Sequence, residues 1–412
     1  MKNKYYILYS MIILFTFIMP IIPSTFHFKF IYLAGDMILY LIIIYFIMIL
    51  IFNKDVKKNI YKNYRAFFKD YLNVFMIIWT ADMFFSVIYS RDKLLAFTES
   101  IRLSSYVFLF FILKYYINEE KIYKYILKSY MLSSFIIGAY GIYQSFIGIG
   151  EFKSTKFGSE IRIASYMENS NNLGMYFVFA FFPFIVLFLK DKKMKNKMFY
   201  LVLTIISLAN IVFSYSRNAI MGFAVGIIIL IVILGIKYIY LSVLPVILYC
   251  IPTVSNRVKD ISDASQNLSR IEIWKLAVLI IKDNPILGVG NGNYPNNLPD
   301  YLYTVGKIKF NFRTIIHPHN AFLKAYSELG LLGIISFTGI IVSSFITVYK
   351  FIKNGSNNFY NWFYTGVFIS LFSMLTMNLL DSFFSSPKVI VYYFILIGVC
   401  DGIKRITITE PA

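Results

Sequence analysis

The sequence predicts an all-α, polytopic membrane protein of about 12 transmembrane helices, with one large extracytoplasmic helical loop between the ninth and tenth spans. Three observations predict it. Apolar residues make up 58% of the 412 and charged residues 15%, with a mean hydropathy of +0.66; a soluble domain has about 45–50% and about 25%. Apolar runs close to the ~20 residues that a spanning helix needs recur along the chain. Lysine and arginine gather in alternate loops, the pattern of cytoplasmic loops.

The first run, 6–23, lacks a convincing small-residue cleavage site and reads as a retained signal anchor. Spans at 31–52, 71–90, 103–118 and 126–147 follow, the fourth weakened by Lys114. The next four are 173–189, 198–214, 218–236 and a short ninth at 238–252; the last three are 321–349, 361–380 and 388–403. The loops that should share the N-terminal side carry Lys54, Lys57, Lys58, Lys62, Arg65 and Lys69, then Lys121 to Lys128, Lys190 to Lys197, Lys350 and Lys353, and finally Lys404 and Arg405. That places both termini in the cytoplasm, as an even span count requires. The same rule accounts for the net charge of +19. No basic stretch has the fold context for nucleic-acid binding. Cys250 and Cys400 lie in or beside apolar segments and suggest neither a disulfide framework nor a metal site.

Residues 253–318 form the large external loop, within a single membrane domain 1–412 that shows no internal repeat. Leu268 to Lys282 reads as an amphipathic helix with a stripe of Ile271, Trp274, Ala277, Val278 and Ile281, ended by Asn284-Pro285. Gly288, Gly290 and Gly292 follow. A phosphate-cradling loop needs a strand before it, and a helix precedes here, so tight loop geometry is the plainer reading. A second polar external loop spans roughly 148–172.

Two of the three histidines stand in one unit, His317-Pro318-His319-Asn320, where the polar loop meets an apolar run. Histidine has an unperturbed pKa near neutrality and is a candidate general base there. Arg162, Arg217 and Arg270 lie on the external side, where the charge rule does not favour them. An arginine at a membrane interface suits bidentate pairing with phosphate; snorkelling is the ordinary alternative. Asp36, Asp82, Glu328 and Asp381 lie in or beside apolar segments and receive no catalytic role. Lys324 and Glu328, spaced i, i+4, read as mutual neutralisation.

Residues 198–340 resemble the bacterial O-antigen ligase and polymerase superfamily of integral-membrane glycosyltransferases. His319-Asn320, nine residues, then Gly330 and Gly333 match its ligase pattern. Ser214-Tyr215-Ser216-Arg217-Asn218-Ala219 matches its helix-start pattern, and Arg270, Trp274, Pro285 and Gly288 match a third. Arg162 and Asn171-Asn172-Leu173-Gly174 resemble a weaker feature, with Ser170 where proline is common.

The resemblance implies a glycan donor on undecaprenyl diphosphate and a sugar-hydroxyl acceptor, on lipid A–core or another glycan. It implies a site on the outer face of the cytoplasmic (inner) membrane and no metal or nucleotide cofactor. It assigns Arg217 and Arg270, with Arg162 weaker, to the diphosphate, His319 to the acceptor proton, and Asn320 or His317 to acceptor contacts; helix capping is the alternative for Asn320. A polymerase extending the lipid-linked glycan is the nearest alternative to a ligase, and a polysaccharide flippase or transporter is a third.

Overall fold

The computed structural model describes the chain except residues 1, 24–33, 54–64, 66, 156–157, 253, 257–258, 260–263, 302–316, 356–357 and 410–412. Helices stand at all the predicted span positions. They are α1 (Lys2–Ile18), α2 (Ala34–Phe52), α3 (Tyr71–Ser86), α4 (Lys93–Tyr116), α5 (Glu120–Ile147), α6 (Ser170–Lys190), α7 (Met194–Phe213), α8 (Arg217–Leu234), α9 (Val243–Cys250), α12 (Ala321–Asn354), α13 (Phe359–Leu380) and α14 (Pro387–Thr409). The loop before α12 adds α10 (Ala264–Asp283) and α11 (Tyr294–Tyr301). Among the described residues, 7 helices are long and apolar enough to cross a membrane: α2, α4, α6, α7, α8, α12 and α13. Shorter apolar helices lie at Tyr5–Ile18, Tyr71–Ser86 and Ile236–Cys250. The chain is an integral membrane protein.

Several expectations change in detail. The polar loop near 148–172 holds a two-stranded antiparallel hairpin, β1 (Glu151–Thr155) and β2 (Gly158–Arg162), so the fold is helical with this exception among the described residues. The short ninth segment begins as a 3-10 helix, Ile236–Ser242, before α9. The loop helix buries Ile273, Leu276, Ala277 and Ile280, while Ile271 and Val278 are exposed. Both sets have helical spacing, so periodicity alone could not choose between them. The loop's own small core decides: Val289, Tyr294 and Leu298 pack on the first set.

Lipid tails are as apolar as leucine, so helix association in a membrane relies on close packing and polar contacts. The central helix is α6, which packs on α7, α8 and α13; α14 packs on α4, and α12 on α3 and α13. Lys114, which weakened the fourth span in the sequence, is neutralised in place. Its Nζ lies 2.6 Å from Asp70 Oδ2, 2.5 Å from Asp401 Oδ2 and 2.8 Å from Asn73 Oδ1. This cluster lies at the end of the bundle away from the histidines: Asp401 is roughly 20 Å along α14 from the turn that follows α13.

Candidate active site

The site begins with how α12 starts. Asn320 caps the helix, its Oδ1 accepting from the N–H groups of Phe322 (2.9 Å) and Leu323 (3.0 Å). Its Nδ2 donates to Leu379 O at 3.1 Å, which fastens the start of α12 to the end of α13. The capping alternative for Asn320 is therefore met. The residue before it, His319, has φ +48°. Asp381 follows α13 directly and is buried.

His319 Nδ1 lies 3.1 Å from Asp381 Oδ1, and His317 Nε2 lies 3.8 Å from the same oxygen. The His319 backbone N–H donates to His317 Nδ1 at 3.1 Å. These contacts fix the tautomers. His317 accepts at Nδ1, so its proton resides on Nε2. Burial lowers its pKa to about 3, opposed by Asp381 and reinforced by His319 and by the charges of Lys324 and Arg270, so the ring is neutral near pH 7. Burial pushes the Asp381 carboxyl up. The hydrogen bond from His319, the two imidazoles and the Ser382 N–H outweigh it and hold the carboxyl well below its ordinary range. An ionised carboxylate only accepts, so His319 carries its proton on Nδ1 and keeps Nε2 basic.

The three arginines stand on different elements. Arg270, on α10, is close enough for its charge to act on buried His317. Arg217 is the first residue of α8, behind a cap in which Ser216 accepts from the Ala219 N–H. Tyr215, at φ +45°, turns the chain into that cap. Asn218 Nδ2 donates to Met377 O at 3.1 Å, setting the Arg217 turn against the last turn of α13, next to Asp381. Arg162 is buried. Its Nε donates to Ser214 O (2.9 Å) and its Nη2 to Asn171 Oδ1 (2.7 Å), so it braces the turn that presents Arg217. Ser386 Oγ donates to Asn172 Oδ1 at 2.6 Å, linking α6 to the turn after Asp381.

The structure thus brings His317, His319 and Asn320 to Asp381, with Arg270 within electrostatic reach and the Arg162–Arg217 turn beside the end of α13. Asp381 is the member that sequence reasoning passed over. Its signal was span parity: the short turn after the eleventh predicted span emerges on the same side as His319. Lys324 was read only as a partner of Glu328. It lies 3.8 Å from that carboxylate and also donates to Ser385 Oγ at 3.2 Å.

The two glycine motifs prove to be one joint. Gly330 (φ +62°) breaks α12, so the segment from Ala321 to Leu329 and the long span beyond are separate helical pieces. The sequence reads 321–349 as one span; the chain there forms two helical pieces that meet at Gly330. At the break, Val289 N donates to Ser327 O, Gly290 N to Glu328 O and Leu331 N to Ile286 O. A Cβ on Gly330 would lie 2.1 Å from Ile286 O, and one on Gly288 would lie 2.5 Å from Glu328 O. The glycines serve close backbone approach, as the plainer reading held.

A bundle of helices, seven of them among the described residues long and apolar enough to cross a membrane, with a part-buried histidine–carboxylate pair at one end, defines an integral-membrane protein with a candidate polar site. Residues 199–338 match the family model described as O-antigen ligase, which supports the O-antigen ligase superfamily for this region of the chain. It includes Arg217, Arg270, His317, His319 and both glycine motifs; Arg162 and Asp381 lie outside it. A search of the curated proteins finds no match. The family indicates a glycosyltransferase-like enzyme whose partners are a lipid-linked glycan and a glycan acceptor.

Proposed function

We propose that the protein transfers a glycan from undecaprenyl diphosphate to a sugar hydroxyl, as an O-antigen ligase-like glycosyltransferase. It would have about 12 spans, both termini in the cytoplasm, and this site on the outer face of the inner membrane. The observation that carries the reading is the His319–Asp381 pair with Arg270 acting on the same cluster. Asp381 holds His319 in the tautomer whose Nε2 can take the acceptor proton. As the acceptor oxygen bonds to the anomeric carbon, the bond from that carbon to the diphosphate oxygen breaks, and its electron pair leaves with the lipid diphosphate. Arg217 and Arg270 stabilise the charge that develops there. Arg162 acts by bracing the Arg217 turn. Attack opposite the leaving group inverts the anomeric centre. His319 then returns its proton to solvent.

One observation favours a second reading of the same atoms. The ligand atoms of His317, His319 and Asp381 all lie within 4.8 Å of one another, a set that could hold a divalent cation. A cation there would be held by one imidazole nitrogen from each histidine and a carboxylate oxygen of Asp381, and would supply a Lewis acid in place of the base. The test is protein in lipid nanodiscs with an undecaprenyl-diphosphate glycan and a lipid A–core acceptor. The base reading expects undecaprenyl diphosphate release and acceptor glycosylation unchanged by chelator. Activity abolished by chelator and restored by a divalent metal would replace it with the metal reading. A deletion strain separates the two glycosyltransferase types: full-length polymer left on its carrier marks a ligase, and a single repeat unit on the acceptor marks a polymerase.

A further inference from the structure

A cavity of about 560 Å³ lies outside this site, between the α3–α4 turn and the loop helices. The size is within the ~300–1,000 Å³ usual for small-molecule sites. Tyr89 and Arg91 of the turn, Asp283 and Asn284 at the end of α10, and Asn297 and Asp300 of α11 line it. Three segments are tied together around it. Arg91 Nη1 donates to Asp300 Oδ2 (2.8 Å) and to Asn296 O (3.0 Å), and Tyr89 Oη donates to Leu287 O (2.5 Å). None of these residues takes part in the chemistry above.

The lining has a definite chemical character. Two carboxylates accept, two amides both accept and donate, a guanidinium donates, and a tyrosine ring adds an apolar flank. Ligands dense in neighbouring hydroxyls, with apolar C–H faces between them, match that mixture. One wall is built on Ile286 to Val289, the strip whose backbone bonds fasten it to Ser327, Glu328 and Leu331 of α12. His319 lies eight residues before Ser327 along that segment, roughly 12 Å. The ligand class is therefore an oligosaccharide long enough to cover that span.

The cavity also borders an apolar face. Ile88 is 67% exposed, Ile286 69%, Leu287 44% and Leu331 48%. Leu331 opens the span beyond the Gly330 break, and the other three flank the cavity or line it. An amphiphile can rest its lipid against this face with its sugars in the polar cavity.

We propose that this cavity binds the saccharide of the membrane-anchored acceptor and delivers its terminal hydroxyl toward His319. This rests on the glycosyl-transfer reading, so its test has an arm that needs no turnover. The variants are Asp283→Asn, Asn297→Ala and Leu287→Trp, the last chosen to fill the cavity. In nanodisc transfer assays, the acceptor KM should rise about three- to tenfold per polar variant, the effect of one lost hydrogen bond. It should rise further for Leu287→Trp, with donor KM unchanged and kcat at saturating acceptor retained. Acceptor KM values within twofold of wild type in all three folded variants would overturn the proposal. The second arm is saturation-transfer NMR on the same nanodiscs with maltose, lactose and chitobiose. At least one disaccharide should show saturation transfer that Leu287→Trp abolishes; none doing so would count against the cavity even if transfer activity is absent. Binding without any glycosyl transfer would keep the cavity and defeat the transfer reading.

Discussion

His319 holds a left-handed backbone conformation that costs energy for a residue with a Cβ, and such strain gathers at functional sites. What the strain achieves here is an imidazole facing a buried carboxylate. Asp381→Asn removes the acceptor that keeps the proton on Nδ1. Transfer should fall by about 10²-fold or more, with the acidic limb of the rate–pH profile altered and donor affinity kept. A wild-type profile from the folded variant would remove Asp381 from the mechanism. His317 supplies a second prediction. Its folded pKa, near 3, lies below the unfolded value of about 6.5, so below pH 6.5 the unfolded chain takes up a proton that the native ring refuses. Stability is therefore present above pH 6.5 and declines as pH falls toward 3; depressed Asp381 adds a loss in the same direction lower down. Thermal melting in nanodiscs should show a Tm drop from pH 7 to pH 5 that is smaller in His317→Gln. An equal drop would mean that the ring is not buried neutral. At this scale His319 was legible because its residue type and place at a polar–apolar boundary are chemical statements in themselves. Asp381 was not, because its partner lies 62 positions away and nothing local distinguishes it from the other acids near span ends.

The elements that matter most are the two halves of the interrupted α12 and the loop helix docked at their junction. Local sequence could mark Gly330 and Gly288 as turn residues, but it could not reveal that they meet, since that contact depends on the loop folding back onto α12. Gly330→Ala would force a side chain into a left-handed position with a carbonyl in the way, costing about 1–3 kcal/mol. The expected outcome is faster hydrogen exchange across 264–301 than in wild type, with α6 and α13 unchanged. Unaltered exchange in the loop would show that the joint does not hold it. The loop helix carries the same lesson. Its existence and its end at Asn284-Pro285 were legible, whereas its buried face was set by Tyr294 and Leu298 from the next element.

Across the whole molecule, charge and hydropathy alone located helices at every predicted span, because each must satisfy its backbone bonds internally in lipid. The β1–β2 hairpin and the Lys114–Asp70–Asp401 cluster were not legible, since both are pairings between segments that the sequence does not show to meet. Lys114, Asp70 and Asp401 join α4 and α14 at the end away from the site, and Lys114→Ala would remove the cation from buried Asp401 and half-buried Asp70. A loss of about 3–5 kcal/mol is expected, read as lower folded yield and Tm; wild-type stability would contradict it. Orientation is tested with Cys250 replaced by serine: Lys282→Cys should react with a membrane-impermeant maleimide in spheroplasts and Lys192→Cys only after lysis. The reverse order would invert the topology and move the site to the cytoplasm. The most direct test of the central claim is single-turnover transfer by His319→Ala in nanodiscs, with donor affinity measured on the same sample. The account predicts a rate lower by about 10²–10⁴ with donor affinity unchanged, and transfer at the wild-type rate would contradict it.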